Sequence, residues 1–109
     1  MEKKPGILVA DSDNENFHLI EDTLLALGYQ VTLARTAEEI ITKALQTPTD
    51  VLLLDLSSIR DGLEAVRRLK KAETTRLIPV VVMTAPDRKE DRLLALEAGA
   101  DDFLTEPVD

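Results

Sequence analysis

Oxygen-bearing side chains follow several short apolar runs in this sequence, each at the point where the run ends. Asp55 comes directly after residues 51–54, and Asp11 follows residues 7–10. If these runs are parallel strands, their carboxyl ends share one edge of a sheet, where ligands and chemistry are found in open α/β folds. Other oxygens predicted at that edge belong to Asp13, Ser57, Thr84 and Glu106. The alternative for Asp55 and Thr84 is that each only caps a turn.

Such a cluster of oxygens is suited to one kind of ligand in particular. A hard divalent cation such as Mg²⁺ prefers a few carboxylates, carbonyls and water molecules. Without a cation the carboxylates would repel one another, and their pKa values would rise. The sequence therefore predicts a cation site at this edge, with Asp11 and Asp55 converging on it.

The elements that must position these side chains alternate strictly along the chain. Short apolar or β-branched runs predict strands at residues 6–10, 30–34, 51–55, 78–83 and 102–105. Helical spacing of apolar residues predicts helices at residues 14–27, 36–47, 62–72 and 87–98. This order predicts an α/β fold, with a parallel sheet and helices on both faces.

The size of the sheet narrows the topology. Five strands in one doubly wound layer favour the flavodoxin-like order 2-1-3-4-5, in a single domain over residues 1–109. A closing helix is expected after the fifth strand, and none is present in this chain. We therefore expect either that the domain is truncated at its C-terminus or that a neighbour covers that face of the sheet.

Local signals mark where the helices begin and end. Thr36 with Glu39, and Asp87 with Glu90, have the spacing of a capping box. Gly28 and Gly99 are the expected helix stops. The basic run at residues 67–71 is predicted to be a solvated helix face, and residues 101–102 to be a turn.

Composition excludes several classes of function. The chain has 109 residues and a formal charge of −8, which argues against binding of nucleic acid or an anionic membrane by this domain. It has no cysteine, so thiolate metal sites and disulfides are excluded. The first apolar run is too short for a signal peptide or a membrane span, and a cytoplasmic location follows by default. The single histidine, His18, is predicted to be a surface residue of the first helix.

Four segments together resemble one family. They are residues 7–11 (ILVAD), 51–55 (VLLLD), 80–85 (VVVMTA) and 95–107 (ALEAGADDFLTEP), of which the last is very specific in combination with the others. Over essentially its whole length, the chain is similar to the receiver domain of bacterial two-component response regulators.

The resemblance implies a phosphorelay function. Asp55 matches the residue that accepts a phosphoryl group from a sensor histidine kinase or another phosphodonor. Mg²⁺ would be held by Asp55, by the acidic residue Asp11 and by the backbone carbonyl of Ser57. Thr84 matches the switch hydroxyl, and Phe103 matches the switch aromatic. The domain would act as a signalling module rather than as an enzyme, and would control an output domain or a partner protein. Homodimer formation is left open.

Three departures from the family pattern affect this chemistry. Ser12 replaces the second acid after the first strand, the usual direct metal ligand, and only a differently bent loop would let Asp13 substitute. Glu106 replaces the lysine that pairs with the phosphoryl group, and a like-charge contact at about 4 Å costs on the order of 4 kcal/mol. The loop at residues 56–61 is one residue shorter than usual, with Ile59 where proline is common.

These departures keep two further hypotheses open. The first is a phosphorylation-independent pseudo-receiver, which binds a partner through its fourth helix and fifth strand; a small-ligand-binding α/β domain is a distant third. Arg60 or Arg88 could supply the missing positive charge, although arginines on loops are more often solvated. Glu106 could itself join the metal ligands.

Overall fold

The computed structural model describes residues 4–105, in which five strands alternate with four helices. The strands are β1 (Gly6–Ala10), β2 (Gln30–Ala34), β3 (Val51–Asp55), β4 (Val80–Thr84) and β5 (Asp102–Thr105). The helices are α1 (Asn14–Ala26), α2 (Ala37–Gln46), α3 (Gly62–Lys71) and α4 (Lys89–Ala98). All pairings are parallel, in the order β2-β1-β3-β4-β5, so the predicted flavodoxin-like topology is confirmed.

Alternation along the strands divides the core into two layers. On one face, Leu8, Leu52 and Val80 pack with apolar residues of α2, α3 and α4. On the other face, Val9 and Leu53 pack against α1. Successive side chains of a strand point to opposite faces, so the continuous apolar runs are explained by a sheet covered on both sides.

Helix starts agree with the predicted capping signals at α2 but not at α4. The Thr36 hydroxyl accepts a hydrogen bond from the Glu39 amide at 3.1 Å, as predicted. The predicted cap by Asp87 and Glu90 is wrong, because α4 begins at Lys89 and its N-cap, Arg88, makes no side-chain cap bond. The Arg88 amide donates to the Ala85 carbonyl at 3.1 Å, and this turn moves the N-cap by one residue, from the predicted Asp87 to Arg88.

Other boundaries shift for similar local reasons. The fourth strand begins at Val80 rather than at residue 78, because the Ile78 amide is used in a turn to the Thr75 carbonyl. Gly99 ends α4 with φ +109°, and a Cβ there would lie 2.9 Å from Cγ of Lys70. Both the left-handed backbone and this close approach require glycine.

Within residues 4–105, no helix is long and apolar enough to cross a membrane.

Candidate functional site

Asp55 ends the central strand β3 with its side chain almost fully buried, at 3% exposure. One carboxylate oxygen, Oδ1, accepts hydrogen bonds from the Ser57 hydroxyl at 2.8 Å and from the Ser57 amide at 3.2 Å. Within residues 4–105 we find no donor to the other oxygen, Oδ2. Ser57 therefore holds the carboxylate in one orientation and leaves one oxygen available to a ligand.

Asp11 follows the neighbouring strand β1 and is completely buried. Its Oδ1 accepts from the Asp13 amide at 2.9 Å and from the Ser58 hydroxyl at 3.1 Å, and its Oδ2 accepts from the Asn16 amide group at 2.6 Å. Burial raises the pKa of Asp11, and the nearby charge of Asp55 raises it further against these hydrogen bonds. The structure thus brings the Asp11 and Asp55 carboxylates close enough for their charges to interact at this edge of the sheet.

Ser12 and Asp13 have local partners in the structure. The Ser12 hydroxyl donates to the Ser58 carbonyl at 2.7 Å, and the Ser12 amide donates to the Ser58 hydroxyl at 3.0 Å. Asp13 is exposed and caps α1, accepting from the Asn16 amide at 3.2 Å. The serine pair therefore ties the loop after β1 directly to the loop after β3, a link that the sequence did not reveal.

Thr84 ends β4 next to the Asp55 strand and is 1% exposed. Its hydroxyl oxygen is buried and has no hydrogen-bond partner within the described part of the chain. Most buried polar atoms are paired, so an unpaired hydroxyl at this edge is a feature that a bound ligand can explain. In the pairing of β4 with β5, Thr84 lies opposite Thr105, and Val82 lies opposite the half-buried Phe103.

Neither Arg60 nor Arg88, the arginines proposed from the sequence to supply positive charge, contacts Asp55 within residues 4–105. Arg60 is exposed on the loop after β3, and the exposed Arg88 guanidinium, at the N-cap of α4, lies 3.3 Å from the half-buried Asp91 carboxylate. Glu106 lies outside the described residues. Arg92, which contacts Phe103 and Thr105, was not predicted from the sequence to belong to this edge. Its spacing from the buried Ala95 was the available signal, since residues three apart share a helix face.

The oxygen atoms at this edge of the sheet are suitable ligands for Mg²⁺. Within the described range, no three acidic or histidine side chains are grouped to hold a metal ion. Mg²⁺ does not need such a cage, because it commonly binds through one or two carboxylates and keeps several water molecules. The buried pair Asp11 and Asp55, with the raised pKa of Asp11, is the arrangement that a cation would relieve.

Comparison with known proteins agrees with this geometry. Residues 7–109 match the family described as the response regulator receiver domain. The chain is 42% identical over 104 residues to the response regulator PleD of Caulobacter vibrioides, covering 94% of this chain and 23% of that protein. It is 35% identical over 108 residues to the alkaline phosphatase synthesis transcriptional regulatory protein PhoP of Bacillus subtilis, covering 98% of this chain and 43% of that one. The chain therefore spans less than half the length of these relatives.

A solved structure gives the same result in three dimensions. The receiver domain of the sensor histidine kinase PA1611 from Pseudomonas aeruginosa superposes with a TM-score of 0.88 at 30% identity, covering 98% of this chain and 88% of that one. That structure has a magnesium ion coordinated in its active-site cleft. The chain belongs to the family of response regulator receiver domains, and it is a signalling domain of the two-component type.

Proposed function

We propose that Asp55 is the phosphoacceptor of this receiver domain, and that a sensor histidine kinase or a small phosphodonor supplies the phosphoryl group. The observation that carries the proposal is the state of the Asp55 carboxylate. It is buried at the end of the central strand, one oxygen is held by Ser57, and the other has no donor within residues 4–105. A nucleophile held in one orientation with a free oxygen is what in-line phosphoryl transfer needs.

The transfer forms one bond and breaks one. Oδ2 of Asp55 attacks the phosphorus atom, the phosphorus–oxygen bond forms, and the phosphorus–nitrogen bond to the kinase histidine breaks. The imidazole leaves with the bonding electron pair. Ser57 keeps the attacking carboxylate from rotating, because its hydroxyl and amide both donate to Oδ1.

Asp11, Asp55 and the backbone carbonyl of Ser57 are the proposed Mg²⁺ ligands. When bound, Mg²⁺ would neutralise charge on the incoming phosphoryl oxygens. The magnesium ion in the active-site cleft of the PA1611 receiver domain supports Mg²⁺ as the cation of this site. We expect the affinity to be weaker than with a second acid after β1, because Ser12 supplies a hydroxyl that already donates to Ser58. Asp13 is a further candidate ligand only if its cap on α1 opens.

Thr84 and Phe103 are the proposed switch residues. The buried Thr84 hydroxyl has no partner within residues 4–105, so it can donate to a phosphoryl oxygen without giving up another hydrogen bond. Phe103 lies one strand further along on the same face of the sheet. Movement of both side chains would carry the signal to α4 and β5, and from there to an output domain or a partner protein. Glu106 in place of lysine would weaken the charge balance around the phosphoryl group.

The test is phosphorylation by acetyl phosphate in the presence of Mg²⁺, followed by intact-protein mass spectrometry. We expect the wild-type domain to gain the mass of one phosphoryl group, and Asp55→Asn to gain none. The matched control is Asp87→Asn, an exposed aspartate on the loop after β4, which should be modified as the wild type is. Modification that persists in Asp55→Asn, or a wild type that is never modified, would contradict the proposal. In the second case, a Glu106→Lys variant that gains the modification would identify a pseudo-receiver.

A further inference from the structure

Arg92 makes two side-chain contacts that join α4 to β5. Its Nη2 donates to the Thr105 hydroxyl at 2.6 Å, and its guanidinium carbon lies 5.0 Å from the centre of the Phe103 ring. Its Nε is buried and has no hydrogen-bond partner within residues 4–105. A guanidinium over an aromatic face is attracted to it, and the attraction increases as water is excluded.

The strands place these contacts beside the proposed switch hydroxyl. Thr105 lies opposite Thr84 in the β4–β5 pairing, and Phe103 lies two residues earlier on the same side of β5. Arg92 thus contacts both the residue opposite Thr84 and the ring opposite Val82, two residues away on the same face of the sheet. Arg88, the N-cap of α4 four residues earlier, differs because its side chain is exposed and forms its ion pair in the described structure with Asp91.

We propose that Arg92 is a positioning residue of the switch: it holds Phe103 and Thr105 in the conformation described here, and its contact with the Phe103 ring must break when the ring turns. This inference rests on the proposed function for the event that turns the ring. The guanidinium is planar and rigid, so it can stack on the ring and hold Thr105 only in a narrow range of geometries. A ring that rotates away loses the stacking contact.

The contact therefore favours one of two conformations, and its removal favours the other. Arg92 and Phe103 are both partly exposed, and a cation–π contact at such a site changes a conformational equilibrium by about two- to fivefold. If the turned conformation is the minor one, the apparent affinity for a phosphoryl mimic rises by the same factor, because more of the protein is ready to bind.

The experiment compares Arg92→Gln and Arg92→Lys with the control Arg88→Gln. In the protein without ligand, nuclear Overhauser contacts between the Phe103 ring and the apolar core report the position of the ring. In a second measurement, beryllofluoride is titrated with Mg²⁺. We expect Arg92→Gln to lose part of the ring contacts and to bind beryllofluoride about two- to fivefold more tightly. Arg92→Lys keeps the charge without the planar group, so its ring contacts and its beryllofluoride affinity should lie between those of the wild type and Arg92→Gln. Arg88→Gln should match the wild type in both measurements.

Ring contacts and beryllofluoride affinities that are the same in Arg92→Gln and Arg88→Gln would overturn the inference. Failure of the proposed function has a different signature, because then the wild type itself does not bind beryllofluoride. The ring contacts of the unliganded variants still decide the role of Arg92 in that case. Should Arg92→Gln fail to fold, Arg92→Lys provides the same comparison with a smaller change.

Discussion

The two ends of the sheet each hold a buried threonine and an aspartate, but the hydrogen bonding of the two pairs differs. At the amino end, the Thr75 hydroxyl donates to the Leu69 carbonyl at 2.7 Å. Asp101 there accepts from the Val80 amide at 2.7 Å and from Lys70 at 2.9 Å. At the carboxyl end, by contrast, the buried hydroxyl of Thr84 has no partner among residues 4–105. The donors to Asp55 in that range both go to Oδ1 and leave Oδ2 without one.

The pKa directions follow the same division. Burial favours a higher pKa for Asp101, but the Lys70 hydrogen bond, the Val80 amide and the Lys70 charge outweigh it and lower the pKa. Asp11 has hydrogen bonds too, yet burial and the charge of Asp55 raise its pKa. The protein satisfies its own polar groups at the amino end and leaves some unsatisfied at the carboxyl end. The first arrangement stabilises the fold, and the second costs stability but allows a ligand to be bound.

The largest effect is expected for Lys70→Met, which removes the centre of the amino-end network. Lys70 is only 18% exposed at its side chain, and its ammonium also donates to the Ile78 carbonyl at 2.8 Å. Its loss leaves that carbonyl and Asp101 with fewer partners, so we expect the free energy of unfolding to fall by about 2–3 kcal/mol. Urea denaturation measures the change.

The neighbouring Lys71→Met is the control, because Lys71 is exposed and should change stability by less than about 0.5 kcal/mol. Acetyl phosphate should still modify the folded fraction of Lys70→Met, since the network is at the end of the sheet opposite Asp55. Equal stability of the two variants would remove the distinction drawn between the ends of the sheet.

Two threonine-to-valine substitutions provide a matched test of intermediate size. Thr75→Val leaves the Leu69 carbonyl, near the end of α3, without its donor, so we expect a loss of about 1–2 kcal/mol. Thr84→Val removes a buried hydroxyl that has no partner in the described structure, so we expect a gain of about 1 kcal/mol. Thermal or urea unfolding without Mg²⁺ gives both values.

The two variants should also differ in function. Thr84→Val should bind beryllofluoride more weakly than the wild type, because the hydroxyl proposed to contact the phosphoryl group is gone. Thr75→Val should bind it normally once folded. A loss of stability in Thr84→Val would mean that its hydroxyl has a partner that residues 4–105 do not supply.

The strand order and the position of Asp55 could be predicted because they depend on short-range patterns. An apolar run of four residues ending in a carboxylate predicted a buried strand, and β3 lies between β1 and β4 as expected. Asp11 was placed beside it by the same topology. The capping pattern at Thr36 also needed only neighbours in sequence. Local sequence patterns are enough to predict a contact when the two residues are a few positions apart, or when the order of the strands determines which residues lie side by side.

The remaining features depend on partners distant in sequence. Lys70 was predicted to belong to a solvated helix face, and this is wrong, because Lys70 reaches Asp101 across 31 positions. The link from Ser12 to Ser58 spans 46 positions. Neither contact can be predicted from neighbouring residues. A lysine in a basic run, or a serine in a polar loop, is not distinguished by sequence from others of its kind until the fold brings its partner close.

The smallest effect expected is a difference in pH dependence between Asp11→Asn and Asp101→Asn, which should change the free energy of unfolding in opposite directions. Asp101 is half exposed and its pair with Lys70 is screened by solvent, so we expect less than about 1 kcal/mol there. The folded pKa of Asp11 is raised, so its ionisation costs stability above that pKa. Asp11→Asn should therefore be more stable than the wild type at pH 7 without Mg²⁺. The difference should shrink as the pH falls through the raised pKa, where the wild-type carboxyl takes up its proton.

Asp101 should behave in the reverse way, because its folded pKa is lowered. Its contribution is fully present above its unfolded pKa of about 3.9 and is lost as the pH falls through the folded pKa. Asp101→Asn should therefore be less stable than the wild type at pH 7 and equally so at pH 5, and the two should converge only below about pH 4. Urea unfolding at a series of pH values separates the profiles. Two variants that shift stability in the same direction at pH 7 would show that the aspartates at the two ends of the sheet are in equivalent electrostatic states, contrary to their hydrogen bonding.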